Sequence, residues 1–452
     1  MNIVALYSAL KIRLGLLEVT INLDDTYPPD PVTLNPILVD ISPIKLGSDE
    51  ESDIILSAGQ VSINLYFDDT NQSILGYYRF IHQQIKSGNR SVKIHLNSQL
   101  IWQGYIDNNT DKLQYDPQKK TIKINAIEQI VRLKNIDPKL NPFGYSNLSQ
   151  RKKIVDIILD IITANSIYDS FVQEVVPLST LQGYAVVNGQ WMLYDFPDFM
   201  AKLNYYFGTD SNYENMLVLL KAIALNYNLI IYAGLDRKLY LLPRFAEYNE
   251  VDVIDTADLI TKPQYKIIDK INGLKVRLWT GMYPKDNNYY TYYLGDYTPN
   301  DKLSEDLTID QPCGIFPGYM YSNIEIIDGG NYYYLEEENV RHRKMDGSFT
   351  SFQSLYNIVA NNVWDEIKYP RLKCSVEVSG FYDRWNPSKY YVIEGDENIY
   401  RATSFEYDLI HNKTKINLKQ ASNLVYQLPP GDYRLTEDGG FRLIEDGSIR
   451  LI

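Results

Sequence analysis

Four histidines, His82, His95, His342 and His411, are the residues best suited to proton transfer or metal ligation in this 452-residue chain. A hydrolytic zinc site needs two imidazoles at a fixed helical spacing, and a nucleophilic triad needs a base within reach of a hydroxyl or thiol. None of the four stands in HExxH or HxH spacing, and the chain holds no GxSxG, GxxxxGK[ST] or GxGxxG. Hydrolase, nucleotide and dinucleotide chemistry therefore lose their usual anchors. Asp107-Asn108-Asn109-Thr110-Asp111 starts like a calcium loop, but Lys112 stands where the loop needs Gly and Gln118 where it needs a bidentate Glu. That stretch reads as a polar turn, and Asp210 and Asn212 read as residues at a helix start rather than as ligands. Asp24-Asp25, Asp68-Asp69 and Glu336-Glu337-Glu338 could supply carboxylates, yet adjacent acids on a strand point to opposite faces and cannot oppose each other across a glycosidic bond. Cys313 and Cys374, with no CxxC or Cys/His spacing, read as buried thiols. The expectation is a protein that is not an enzyme and takes no cofactor and no metal.

The composition points the same way. Apolar residues make up 45% and charged residues 22%, which is the balance of a folded globular chain. Net charge is −13, with no dense basic run, so a stable grip on nucleic acid is not expected; an acidic surface would let DNA slide past without sticking. Tyrosine is abundant, 39 against 14 Phe and 5 Trp, and suits half-buried strand positions and wet interfaces. Trp191, Trp279, Trp364 and Trp385 are scattered and read as core residues. The first 20 residues lack the basic lead of a signal peptide, and the apolar run at 154–162 is cut by Asp156 and Asp160, so no membrane insertion is expected.

The elements that would position these residues are mostly strands. Val61, Ile63, Leu65 and Phe67 alternate with Ser62, Asn64 and Tyr66, the period of a half-buried strand, and Ser91–Leu96, Leu100–Ile106 and Thr121–Ile127 repeat the pattern. A short helix is expected over Gln72–Lys86. Ser149 is placed to cap a helix over 150–166 with Ile154, Ile158, Ile161 and Ile162 on one face. Ser211 and Glu214 have capping-box spacing for a second helix, which leads into a hairpin of Leu229–Ala233 and Lys238–Leu242. Strands return at Lys275–Thr280 and from Lys373 to Leu418, with a Tyr-rich stretch and an amphipathic helix over Phe352–Ile367 between them. The fold class expected is mainly β with an α+β middle: two β-barrel-like domains flanking a helix/hairpin domain. The boundaries expected are 1–145, 146–262, 263–420 with a Tyr-rich insertion over about 283–368, and a C-terminal segment over 421–452.

That last segment holds an octapeptide repeat. Tyr433-Arg434-Leu435-Thr436 and Phe441-Arg442-Leu443-Ile444 are each followed by an Asp-Gly turn, and Ile449-Arg450-Leu451-Ile452 opens a third unit. So few units cannot bury a core alone. Tyr433, Arg434, Leu435, Phe441, Arg442, Leu443, Ile449, Arg450 and Leu451 are therefore expected to pair with another subunit or domain.

Three stretches resemble the baseplate or tail hub proteins of tailed bacteriophages, including the N-terminal part of tail-associated lysins. Gly59-Gln60-Val61-Ser62-Ile63-Asn64-Leu65, with Gln99–Ile106 and Thr121–Ala126, is similar to the first hub barrel. Asn215–Arg244 resembles that family's helix followed by a hairpin, and Tyr390–Leu418, with Tyr400-Arg401-Ala402-Thr403-Ser404-Phe405-Glu406-Tyr407-Asp408, resembles its closing barrel. The resemblance implies a structural virion protein, a hub or baseplate subunit that joins the tail tube or tail ring to the distal tip and lets DNA pass. It implies a homotrimer whose two barrels per chain form a pseudo-sixfold ring, with other tail proteins as partners. It also implies a place in the virion tail after synthesis in the host bacterial cytoplasm. The peptidase or glycosidase of the lysins is not expected here. The other expectations are a carbohydrate-binding or degrading receptor protein of the tail, since exposed Tyr and Trp can stack on sugars, and a short-tail ring adaptor.

Overall fold

The computed structural model describes residues 9–14, 17–22, 37–47, 55–56, 59–66, 91–107, 114–116, 118–148, 150–163, 172–203, 206–208, 213–243, 251–268, 273–279, 289–295, 307–311, 325–328, 331–341, 348–352, 370–380, 389–425, 442–443 and 449–450, with four helical positions between 357 and 364. The architecture over these residues is mainly β.

The first sheet is built from β1 (Ala9–Leu14), β2 (Leu17–Asn22), β3 (Ile37–Ile41), β6 (Gln60–Tyr66), β7 (Ser91–Leu96), β8 (Gln99–Ile106), β9 (Gln114–Asp116) and β10 (Thr121–Ile127). Its order is β1-β2-β7-β8-β10-β6-β3, with β9 also on β10. The end strands β1 and β3 approach within 8 Å between Cα atoms, so the sheet curls back on itself. The alternation expected along β6 is realised: Val61, Ile63 and Leu65 are buried while Ser62, Asn64 and Tyr66 are not. Trp102 fills the interior, and Gly104 leaves room for it; a Cβ there would lie 2.3 Å from the indole and 2.5 Å from the Ile127 carbonyl oxygen.

The second sheet runs β18 (Val251–Ile254), β26 (Tyr390–Ile393), β27 (Asn398–Asp408), β28 (Lys413–Val425), β25 (Arg371–Ser379) and β19 (Gln264–Ile268), with β4 (Ile44–Gly47) also paired to β27. Both β18 and β19, which lie on either side of the boundary expected at residue 262, belong to this sheet. Its inward residues Val376, Val378, Tyr391, Ile393, Phe405, Tyr407, Ile416 and Leu418 join Val19, Ile63, Ile94, Trp102 and Ile124 of the first sheet in one continuous buried cluster. The two sheets thus share a core.

The middle of the chain has its own core around three helices, α1 (Gln129–Arg132), α2 (Ile154–Thr163) and α3 (Met216–Asn226). One sheet on it has the order β11 (Arg151–Lys153), β15 (Met200–Lys202), β23 (Glu325–Asp328), β24 (Asn331–Arg341), β13 (Gln182–Val187) and β14 (Gln190–Asp195). Another has β12 (Glu174–Pro177), β17 (Lys238–Pro243), β16 (Leu229–Ala233) and β5 (Ile55–Leu56). The stretch expected as an insertion therefore gives two of its strands, β23 and β24, to this middle unit. A three-stranded sheet is formed by β21 (Tyr289–Gly295), β20 (Gly273–Trp279) and β22 (Leu307–Gln311). In the terminal repeat β29 (Arg442–Leu443) pairs with β30 (Ile449–Arg450).

The helix starts differ from those expected. Arg151–Lys153 pair antiparallel with Met200–Lys202, and the Ile154 N–H donates to the Phe199 carbonyl, so the sheet claims the first turn and α2 begins at Ile154. The face formed by Ile154, Ile158, Ile161 and Ile162 is buried as expected. The cap of α3 is Asn215, whose Oδ1 accepts from the Val218 N–H at 3.0 Å; Ser211 of the expected box lies outside the described residues. The helix expected over Gln72–Lys86 lies outside the described residues. Of that expected over Phe352–Ile367, Asn357, Ile358, Asn361 and Trp364 are described as helical; Ile358 is buried and Trp364 half-buried.

One short segment ties these bodies together. Within residues 37–56, β3 sits in the first sheet, β4 pairs antiparallel with β27 of the second, and β5 runs parallel to β16 of the middle unit. Gly47 ends β4 at φ +105°, opposite Ser404, and a Cβ on it would lie 2.2 Å from the Thr403 carbonyl oxygen and 2.8 Å from Ser404 Cα. Both obstacles are backbone, so no side-chain shift relieves them. Gly47→Ala should lower unfolding free energy by roughly 2–4 kcal/mol, from strain plus overlap. Gly380→Ala, at φ +83° with open space around it, should cost only the strain of about 1 kcal/mol. Urea unfolding of both variants checks the contrast.

At the junction between the first sheet and the middle unit, buried Glu128 caps α1. Its Oε2 accepts from the Ile130 N–H at 2.8 Å, and its own N–H donates to the Gly59 carbonyl at 3.0 Å. Burial outweighs these hydrogen bonds and pushes the carboxyl up from 4.5 to about 7. The folded state then holds its proton more tightly than the unfolded chain. Stability from this group is present below pH 4.5 and is lost as pH rises through about 7. Glu128→Gln keeps an acceptor for Ile130 and should remove that decline, gaining on the order of 3 kcal/mol at pH 8 and nothing at pH 4. Unfolding midpoints at the two pH values measure it.

Candidate assembly surface

Among the described residues, no group of three or more His, Cys, Asp or Glu is arranged to hold a metal ion. His95 lies on β7 opposite Glu18 of β2, while His411 sits in the turn after β27 with its Nδ1 2.7 Å from Asp408 Oδ2. These two belong to different sheets, and His82 and His342 lie outside the described residues. Asp107 is buried at the end of β8, where its N–H donates to the Asn125 carbonyl; 108–113 lie outside the described residues, as do Asp24-Asp25, Asp68-Asp69, Asp210 and Asn212. Glu336–Glu338 lie along β24. Cys374 is a buried thiol, and burial, followed by the Asp396 charge, pushes it up to about 12, which leaves it inert. Cys313 lies outside the described residues.

The surface that stands out is a hairpin. β13 and β14 pair from Gln182↔Asp195 to Val187↔Gln190 around Asn188-Gly189, both with positive φ (53° and 80°), the conformation of a tight two-residue hairpin turn. On β13, Gly183, Ala185 and Val187 face the middle core. Opposite them and beside them, β14 is exposed from Gln190 to Leu193, while Tyr194 is half-buried against the middle core. Trp191 is 56% exposed, Met192 40% and Leu193 39%. Trp191 therefore corrects the expectation that it packs in the core.

Aromatic contacts spread from this strand. The Tyr184 ring stands edge-on to Trp191 at 6.3 Å and tilts against Phe352 at 4.6 Å. The Arg341 guanidinium lies 4.3 Å from the Phe349 ring centre and 4.9 Å from that of Phe352. Its Nε donates to Gln182 Oε1 at 3.0 Å, and Gln182 Nε2 donates to Asp195 Oδ1 at 2.9 Å, so a polar row crosses β24, β13 and β14. Trp, Tyr and Arg set around exposed apolar side chains are the composition of interface hot spots. A smaller apolar edge lies on β19, where Tyr265 is 50% exposed and Ile267 64%.

Of the residues expected at an interface, Tyr433, Arg434, Leu435, Phe441 and Leu451 lie outside the described residues. Arg442 and Leu443 face Arg450 and Ile449 across a two-stranded ladder that joins no other sheet among the described residues. The hairpin at 182–195 was legible in principle. Asn188-Gly189 between Tyr184-Ala185-Val186-Val187 and Gln190-Trp191-Met192-Leu193-Tyr194 is a strong hairpin signal.

No protein-family profile matches the chain, and no curated protein matches it. Among solved structures it is similar to a 43 kDa tail protein of prophage MuSo2 from Shewanella oneidensis, at 9% identity over 90% of this chain and 98% of that one, with a TM-score of 0.46. It is similar to a tail protein from Neisseria meningitidis MC58 at 10% identity over 89% and 96% of the two chains, TM-score 0.45. It is also similar to prophage tail protein gp18 from Listeria monocytogenes EGD-e at 11% identity over 85% and 90%, TM-score 0.40.

Replacing Trp191 should not disturb the fold. Trp191→Ala is expected to change unfolding free energy by about 0.5 kcal/mol or less and to lower the acrylamide-accessible share of the tryptophan emission, whereas buried Trp102 stays shielded. Stern–Volmer quenching of both proteins measures this.

Proposed function

We propose that this chain is a structural subunit of a phage tail, a hub or baseplate protein that joins the tail tube or tail ring to the distal tip and lets DNA pass. The observation that carries the reading is the shared core of the first and second sheets, tied by β4. Two curled or extended sheets fixed side by side give a ring-forming block whose shape does not depend on a flexible linker. The three stretches that resemble hub proteins also fall on coherent parts of the fold: β8, β10 and β6 are successive neighbours in the first sheet, α3 leads into the β16–β17 hairpin, and β26, β27 and β28 are successive neighbours in the second. The net charge of −13 suits a channel that DNA must leave without sticking.

In this reading the chain works as a homotrimer in the virion tail, after synthesis in the host cytoplasm, and binds other tail proteins instead of catalysing a reaction. The terminal repeat, with Tyr433, Arg434, Leu435, Phe441, Arg442, Leu443, Ile449, Arg450 and Leu451, completes a sheet on a neighbour. A second reading, a carbohydrate-binding protein of the tail, draws on the exposed Trp191 beside Tyr184, because an accessible indole can stack on a sugar ring.

Electron micrographs of the purified full-length protein should show threefold rings, and removal of 432–452 should weaken ring formation while the far-ultraviolet circular dichroism of the rest is kept. A protein that stays monomeric at high concentration, and that binds specific glycans on an array, would replace the first reading by the second.

A further inference from the structure

We propose that the outer face of the second sheet carries a phosphate-contact row, Arg401, Lys419, Lys373 and Lys266, that rests against the backbone of duplex DNA. The four side chains lie at one level across four neighbouring strands. Arg401 of β27 pairs with Lys419 of β28, Lys419 with Lys373 of β25, and Lys373 with Lys266 of β19. Their strand neighbours Ala402, Leu418 and Cys374 belong to the shared core, so alternation turns the cations outward. Like charges set directly opposite each other on a sheet destabilise it. Elsewhere on the same face the charges balance: Lys45, Glu406, Lys415 and Glu377 alternate in sign across β4, β27, β28 and β25. A row of four cations, in a chain of net charge −13, is a repulsion that an anion lying across it would offset.

The surroundings say which anion fits. The next row of the sheet is Gln264, Ser375, Asn417 and Ser404, neutral and hydrogen-bonding, with Asn417 Nδ2 donating to Ser404 Oγ at 2.8 Å. Lys and Arg beside Ser, Asn and Gln are the side chains that hold phosphate and sugar in protein–DNA contacts. Neither row holds an apolar or aromatic side chain. A protein partner would need a desolvated apolar centre, and single-stranded bases an aromatic platform to stack on. With strands about 4.8 Å apart, the four cations span roughly 14 Å in a line, a length of helix axis over which one DNA strand carries about four phosphates. The hold is weak and brief, because the chain as a whole is acidic. It is read from the sheet alone and does not rest on the tail reading; in a tail it would steady DNA on its way through.

The test is fluorescence anisotropy of a labelled duplex of about 20 base pairs and arbitrary sequence, titrated with the full-length protein. Affinity should fall roughly 12- to 40-fold between about 50 and 200 mM salt, the dependence of two to three neutralised phosphates. Lys373→Gln combined with Lys419→Gln should weaken binding at the lower salt by roughly fivefold or more and flatten the salt dependence. The same variant should melt at an equal or slightly higher temperature, because it relieves like-charge repulsion within the sheet. Lys134→Gln combined with Lys139→Gln removes the same charge from two exposed positions outside the sheet and should leave affinity within about twofold. Absence of duplex binding at the lower salt, or equal losses in the two double variants, overturns the proposal. A poly-glutamate peptide that binds more tightly than the duplex and is lost with Lys373 and Lys419 also overturns it, since the row then serves an acidic protein segment. None of these readouts involves ring formation, so this proposal and the tail reading can fail separately.

Discussion

The backbone of Gly47 lies against the backbone of Thr403 and Ser404 so closely that no side chain fits between them. This contact is where a strand from the N-terminal third of the chain enters a sheet whose other strands come from the C-terminal half. Pairing over so long a sequence separation is entropically costly to form, and it is held by what surrounds it. Ile44 is buried in the same cluster as Phe405 and Tyr407, and the β4–β27 ladder runs from Ile44↔Tyr407 to Gly47↔Ser404. If the strand slipped by one residue, its buried face would turn outward. The placement of β3 before it and β5 after it, in two other sheets, follows from this one fixed point.

The polar groups at the joins fit the same picture. Glu128 turns the chain from β10 into α1, Gln129 Nε2 donates to the Ile162 carbonyl near the end of α2, and the Arg132 guanidinium lies 4.6 Å from the Tyr105 ring centre. In the second sheet, Asp396 accepts from the Tyr265 and Tyr400 hydroxyls at 3.0 and 2.6 Å and from the Asn398 backbone at 2.9 Å, which pins the turn between β26 and β27 to the edge strand β19. Burial and that carboxylate hold the Tyr400 phenol well above its ordinary range. These groups position backbone.

How much of this was legible in the sequence depends on how local the cause was. The β6 alternation, the isoleucine face of α2 and the β16–β17 hairpin depend on neighbours within one element, and periodicity exposes them. The start of α2 lies later than the helical pattern implies because Arg151–Lys153 are recruited by Met200–Lys202, a partner some fifty residues away in the chain, and tertiary pairing overrides the helical pattern there. The short strands β4 and β5 have too few residues to show any period. Trp191 illustrates a different limit: alternation marks a strand but cannot tell a central strand from an edge, so a tryptophan that reads as core stands in solvent. The division of 325–341 from its sequence neighbours was hidden for the same reason as α2, since β23 and β24 choose partners in β15 and β13.

The first and second sheets form one body, joined at β4. Native-state hydrogen exchange of β6, β10, β25 and β28 tests it most directly. Amides at the centres of these four strands should share one opening free energy and one denaturant dependence, as members of a single cooperative unit do. If β25 and β28 open at a distinctly lower free energy while β6 and β10 stay protected, the two sheets are independent units and do not form one body.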